Sequence, residues 1–370
     1  MHIPYCRKAC TYCDFHFSTS MRSREAVLAA MHRELEARAP GIAGPTMGTI
    51  YFGGGTPSLM GAEVIASFLE QANRLFSVEA DAEVTLEVNP DDVTVERVKE
   101  WRNIGVTRLS IGIQSFREER LRFMGRAHTA EGSRTALDRI ANAGFTSWTM
   151  DLIHGLPGMT LAEWDEQLDT AFAYAPPHLS SYCLTVEPRT TLAHRVRAGD
   201  VHMPSDADQA AQFEHLIARA EQEGLQQYEI SNFGREGHLS RHNTSYWNGV
   251  PYLGIGPGAH SFDGADRRRW NVANNNHYAA RVARGEGYWQ EEVLTPAQRT
   301  NELLLTGLRT RWGVGLAALP VDPTVENAAL LRHHVERGDL LHAHGRLVLT
   351  RAGRNFADRI AADLFVTDDR

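Results

Sequence analysis

Cysteine is scarce in this chain. There are four in 370 residues, and three of them, Cys6, Cys10 and Cys13, fall within the opening MHIPYCRKACTYCDF. So few cysteines in a chain this long do not make a disulfide framework, which belongs to small secreted domains. Long apolar runs are missing as well. Nothing approaches the ~20 residues of a membrane-crossing helix, and Arg7 and Lys8 stand where a secretion signal would have its apolar centre. The expected setting is the cytoplasm. Excess positive charge is also absent. The formal net charge is -8, which argues against a nucleic-acid partner, because phosphate binding is carried by clustered Lys and Arg. The one dense basic run, Arg267-Arg268-Arg269, reads as a solvated strand end or loop. There is no internal repeat, no low-complexity segment and no C-x-x-C-H of the kind that attaches haem covalently.

What remains, with 42% hydrophobic and 23% charged residues, is the composition of an ordinary globular protein. Short β-like runs alternate with amphipathic helical ones. The strand candidates are 49–53, 83–88, 108–113, 148–153 and 179–186. The helix candidates are 24–37, 62–75, 95–103, 130–143 and 161–173, followed by 206–222. Strand and helix repeated at this spacing predict an α/β protein with a parallel sheet, either closed as a barrel or left open. Several strands end in glycine or polar residues: Gly53-Gly54-Gly55-Thr56, Glu87, Gln114-Ser115 and Asp151. Strand ends are where parallel α/β folds gather ligands. After about residue 200 the alternation weakens. We expect a core over 1–200, an extension over 201–290 and a small C-terminal domain over 291–370. The last has helices at 296–308, 328–337 and 353–364 and a hairpin turning at Gly345, a winged-helix-like pattern. Lacking a basic face, it reads as structural or partner-docking.

Three thiols at C-x3-C-x2-C can reach one metal centre from a single tight loop. Zinc in a structural site takes four protein ligands, and His2 or His16 could be the fourth. A cubane iron-sulfur cluster held by three cysteines would keep one iron open to another ligand.

The order of motifs narrows this choice. CTYCDF, YFGGGTPS, LEVNP, RLSIGIQSF, DLIHGLPG, YEISNF, RHNTSYW and YLGIGPGAHS resemble the radical S-adenosylmethionine superfamily. Within it they resemble the oxygen-independent coproporphyrinogen III oxidase family of porphyrin biosynthesis, most closely its haem chaperone branch. The resemblance implies a partial (β/α) barrel of the radical S-adenosylmethionine type with a small, mainly helical C-terminal domain. It implies a 4Fe-4S cluster on Cys6, Cys10 and Cys13, with S-adenosylmethionine on the open iron. By the same matching, Gly54, Gly55, Thr56, Glu87, Gln114, Arg126 and Asp151 line the cofactor pocket. Carboxylates can accept from ribose hydroxyls or an ammonium group, and Arg126 can pair with a carboxylate.

The resemblance further implies that His242, Asn243, Tyr246 and Trp247 meet haem, the imidazole as an axial ligand and the aromatics over the porphyrin face. From the residues alone, this stretch reads as a loop with its rings packed on the barrel. Cys183 reads as a small buried apolar residue, and GPGAHS leaves His260 without a role. The implied function is a haem chaperone that transfers haem to an acceptor protein, a membrane-associated one being among the expectations; the electron donor is unknown. The alternative is a radical decarboxylase acting on coproporphyrinogen. Phe15 separates the two, since the oxidases carry a further cysteine there. The family also places a Tyr on the first strand at a position that falls before Met1, and the expectation is that a few residues precede this sequence.

Overall fold

The computed structural model describes residues 1–42 and 46–368. Its main sheet holds β1 (His2–Ile3), β2 (Thr46–Gly54), β3 (Ser77–Val88), β4 (Arg108–Gln114), β5 (Ser147–His154), β6 (His178–Cys183), β7 (Gln226–Glu229) and β8 (Asn232–Gly234). β1 to β6 are parallel and neighbour one another in chain order; β8 joins β6 antiparallel and β7 joins β8 antiparallel. Unbroken chain order means that each crossover steps the same way round, so the covering helices lie on one side and the sheet curls as a barrel does. Among the described residues the outer strands β1 and β7 do not pair, so the barrel is partial.

The strands alternate: Leu86, Leu109, Ile111, Ile113, Met150, Leu152 and Leu179 are fully buried on one face, while Thr85, Glu87, Ser110, Gln114, Thr149, Asp151 and Ser180 stand at the intervening positions on the other. The helices begin where side-chain caps predict. Thr94, Thr129, Thr160, Thr190, Ser205 and Ser240 each accept a hydrogen bond from a first-turn N–H. Several helices keep the expected bounds, among them Ala62–Leu75, Val95–Asn103 and Asp206–Gln222. β3 is longer than expected because the polar stretch from Ser77 pairs with Thr46 and Met47 across an irregularity in β2.

Three sequence readings change. The stretch that reads as a loop around His242 is a short helix, Arg241–Trp247, capped by Ser240. The basic run is the middle strand of a second sheet, in which β10 (Arg267–Asn271) lies between β9 (His260–Phe262) and β11 (Trp289–Val293). There Arg268 pairs with Glu302 at 2.6 Å and Arg269 lies 3.7 Å over the Trp289 ring, while the side chains of Arg267 and Arg268 stay half-exposed to water. Cys183 is half-buried, its Sγ 3.2 Å from Gln209 Oε1.

A separate apolar core, with Leu304, Leu331, Leu347 and Ile360, organises the C-terminal part. β12 (Val314–Gly315), β13 (Leu340–Ala343) and β14 (Arg346–Leu349) form its sheet. The β13–β14 hairpin turns at His344-Gly345, both left-handed, as a two-residue turn between right-twisted strands requires. The last helical run is a 3₁₀ turn, Ala352–Phe356, followed by the helix Ala357–Asp363. Among the described residues no helix is long and apolar enough to cross a membrane.

Candidate functional site

The cysteine loop is cinched at its base. Cys6 N–H donates to Ser18 O at 3.0 Å and Ser18 N–H to Pro4 O at 2.8 Å; Thr11 N–H reaches Met124 O and its carbonyl accepts from Leu192 N–H. Tyr5 is fully buried beneath it. All three loop cysteines are free and half-buried. Thr56 Oγ1 lies 3.6 Å from Cys6 Sγ, and Arg126 Nη1 lies 3.5 Å from Cys10 Sγ. Burial raises the Cys6 thiol above its ordinary value and pushes Cys13 up to about 11. The thiols share one loop, but among the described residues no three His, Cys, Asp or Glu groups are drawn onto a common centre.

The glycine turn lies against this loop. Gly54 has φ +112°, and a Cβ there would meet the His2 ring at 1.8 Å; a Cβ on Gly55 would meet Tyr5 backbone at 2.6 Å. Gly55 N–H donates to Ile3 O and Thr56 N–H to Tyr5 O. These N–H groups, read from the sequence as facing a ligand, hold the first strand and the cysteine loop. Gly54 N–H instead donates to Glu87 Oε2 at 3.2 Å, and the Tyr51 hydroxyl donates to Glu87 Oε1 at 2.7 Å. Burial raises the Glu87 pKa, opposed by those two hydrogen bonds.

The neighbouring strand ends extend the polar wall. Gln114 closes β4 in the left-handed region, φ +66°, uncommon for a non-glycine residue, where the register with β5 slips. A Cβ on Gly112 would touch Gln114 Nε2 and Arg126 Nη2, each at 3.0 Å, so those two groups converge over Gly112. Arg126 donates to Asn89 Oδ1 at 2.6 Å and Gly112 O at 3.0 Å, while its buried Nε has no partner. Asn89 also donates to Thr56 Oγ1 at 3.2 Å, bridging the two residues that flank the cysteines. Sequence reasoning gave Asn89 no role of its own, although it stands in LEVNP directly after β3. Asp151 accepts from Ser110 Oγ at 2.9 Å; burial pushes it up to about 7, opposed by Ser110 and aided by the charge of Glu87.

One cavity of about 1430 Å³ joins these groups to a second wall. Cys10, Cys13, Gly54 and Glu87 line it together with Tyr51, His242, Tyr246, Tyr252 and His260, and so does Phe15, which is 70% exposed. Cys6, Gly55, Thr56, Gln114, Arg126 and Asp151 do not line it. His242 stacks on Tyr51 at 4.6 Å; its Nδ1 meets Thr49 Oγ1 at 2.8 Å and its Nε2 the Tyr246 hydroxyl at 3.1 Å. Burial depresses its pKa to about 3, so the ring is neutral. His242 and Tyr246, four apart, share one helix face. Asn243 and Trp247 do not line the cavity. Trp247 lies under Arg309 of the C-terminal part, 5.4 Å from its ring centroid.

The donor set suits the groups the sequence implied: three free thiols on one loop, a guanidinium with an unpartnered buried Nε, and a carboxylate cradled by Gly54. Residues 1–171 match the radical SAM superfamily. Over 373 residues the chain is 37% identical to "Heme chaperone HemW" of Mycobacterium tuberculosis, covering 98% of this chain and 93% of that protein. The chain belongs to the HemW family. The HemW protein of Bacillus subtilis is 34% identical over 317 residues, covering 85% of this chain and 83% of its own length. The fold is that of coproporphyrinogen III oxidase, HemN, from Escherichia coli, with TM-score 0.84 and 24% identity over 99% of this chain and 89% of that one. HemW relatives thus match both the barrel and the C-terminal part, whereas the superfamily match stops near the end of the Leu161–Phe172 helix.

Proposed function

We propose that this protein is a haem chaperone. It holds haem in the cavity and passes it to an acceptor protein, beside a 4Fe-4S cluster on Cys6, Cys10 and Cys13 and S-adenosylmethionine bound near Gly54, Gly55, Thr56, Glu87, Gln114, Arg126 and Asp151. The observation that carries this reading is the continuity of one cavity from Cys10 and Cys13 to His242 and Tyr246. Pockets for a single small ligand run to roughly 300–1,000 Å³, and this one has room for a flat macrocycle next to a second ligand.

When bound, the cluster with S-adenosylmethionine supplies one-electron chemistry; the chain's own residues do the positioning. Arg126, fixed by Asn89 and the Gly112 carbonyl, presents a guanidinium beside the cysteine loop that suits a carboxylate. Glu87 and Asp151 offer acceptors for hydroxyl or ammonium groups. Tyr51, His242 and Tyr246 give a stacked aromatic wall against which a porphyrin face can lie. Trp247 and Asn243 act indirectly, by seating the helix that carries His242. The acceptor's association with a membrane, and a cytoplasmic setting, belong to the same proposal.

The test is anaerobic reconstitution with iron and sulfide, followed by haem titration and a coproporphyrinogen decarboxylation assay in parallel. The expected result is a broad absorbance at the blue edge of the visible that a Cys6, Cys10 and Cys13 triple Ala variant loses, haem uptake that His242→Ala weakens, and no decarboxylation. Tight stoichiometric zinc with no iron uptake overturns the cluster. Sustained turnover of coproporphyrinogen moves the protein to the enzyme branch.

A further inference from the structure

Four imidazoles line the cavity: His2, His16, His242 and His260. They differ in what their ring nitrogens already do. His242 is committed on both, to Thr49 Oγ1 and to the Tyr246 hydroxyl. His2 Nδ1 is held by the Pro257 carbonyl, and His16 Nε2 by Asn275 Oδ1 at 2.8 Å. These two rings, 6.1 Å apart, belong to the first strand and the cysteine loop. Among the described residues neither ring nitrogen of His260 has a hydrogen-bond partner, and the residue is exposed.

His260 also stands where a flat aromatic ligand would meet it. The Tyr246 ring is perpendicular to His242 at 4.9 Å and to Tyr252 at 4.7 Å. Tyr252 and Phe262 exchange both backbone hydrogen bonds, with their rings 6.3 Å apart. Phe262 and His260, two apart on β9, point to one face of their sheet. A row of rings thus runs from His242 through Tyr246 and Tyr252 to Phe262, and His260, two residues away on β9, lines the same cavity with its own ring stacked on Trp270 at 6.3 Å. Backbone fixes the row: His260 is paired with Trp270, and the turn before it is held by Glu34, which accepts from Gly256 N–H at 2.9 Å.

The geometry points to His260 as an axial imidazole ligand of the haem iron, with His242 bracing the aromatic wall through Thr49 and Tyr246 rather than binding iron itself. This rests on the haem reading above. Ligation forms one N–Fe bond from a neutral ring nitrogen and moves no electron or proton. His260 can donate that lone pair without breaking a contact, whereas His242 would have to release Thr49 or Tyr246 first.

The test is titration of the full chain with hemin, read by Soret absorption and by electron paramagnetic resonance, for wild type and His260→Ala, with and without added imidazole. The expected result is an imidazole-ligated ferric signal in wild type. In His260→Ala that signal is lost and affinity falls about tenfold or more, while free imidazole restores the signal and the far-UV melting curve is unchanged. Unchanged ligation and affinity in His260→Ala overturn the assignment, and so does a loss that imidazole does not restore. Wild type that takes up no hemin overturns the haem reading itself, a result separable from an indifferent His260→Ala.

Discussion

At the scale of single residues, the site shows its function most plainly where it breaks local rules. A non-glycine residue held left-handed costs roughly 1–2 kcal/mol, and Gln114 bears that cost at the end of β4, beside Arg126. Gln114→Gly is therefore expected to stabilise the protein by up to about 1 kcal/mol in urea melts, after the backbone entropy of glycine is counted. The same change should weaken S-adenosylmethionine binding in calorimetry, because the amide is gone. A variant that gains stability and keeps full affinity would remove Gln114 from the site. Arg126→Ala should cost more affinity than Gln114→Gly, about tenfold or more, since charge-assisted bonds are the stronger ones; equal binding in the same titration would refute its proposed role. In the sequence Gln114 stands out as a polar strand end, whereas Arg126, and the pocket role of both, come only through the family resemblance. Asn89 was not singled out, because an Asn after a strand reads as a turn residue until its Arg126 and Thr56 partners are seen.

At the scale of elements, two junctions carry the architecture around the cavity. The first is the close approach of β1, the cysteine loop and the glycine turn. Gly54→Ala must place a Cβ 1.8 Å from the His2 ring at φ +112°, and the combined strain and overpacking are expected to destabilise the protein by about 2–4 kcal/mol in chemical denaturation. A cost within the ordinary range of a surface change would mean that the junction yields. The second is Glu34, fully buried on the Arg24–Arg38 helix. It accepts from the Tyr278 hydroxyl at 2.5 Å, Asn271 Nδ2 at 2.8 Å and Gly256 N–H at 2.9 Å, with Arg38 at 3.3 Å. Glu34→Ala leaves the Tyr278 hydroxyl and the Gly256 N–H buried without an acceptor, while Asn271 and Arg38 keep their other acceptors, so a loss of about 2–4 kcal/mol is expected, with Glu34→Gln milder in the same melts. Within REAVLAAMHRELEAR nothing marks Glu34 as interior. Three of its four partners, Tyr278, Asn271 and Gly256, lie more than two hundred residues away, which is why the sequence could not show it.

At the scale of the molecule, stability should fall on acidification through imidazoles buried neutral. His154 is 2% exposed, packed near Trp164 and Phe213, with Nδ1 on Ser181 Oγ at 3.2 Å and Nε2 unpartnered. Burial lowers its pKa from 6.5 to about 4. Between those values the unfolded chain binds a proton that the folded chain refuses, so its contribution is complete above pH 6.5 and is lost as pH falls toward 4. His154→Gln should flatten the stability-against-pH curve in that window by about 1.4 kcal/mol per pH unit; parallel curves would show that His154 is charged or solvated when folded. By itself, the sequence determined the α/β class, the order of strands and helices, the cysteine loop and the family. The first three follow from local periodicity, capping residues and short spacings, which a chain carries wherever it goes, and the family from the resemblance of its motifs. Only the tertiary structure decided that the basic run 267–269 is a paired strand, that Trp247 faces Arg309 instead of the cavity, and that His242 and His260 share one cavity with different commitments of their nitrogens. Those outcomes depend on which distant groups are packed together, and burial and hydrogen-bond partners exist only once the chain has closed on itself.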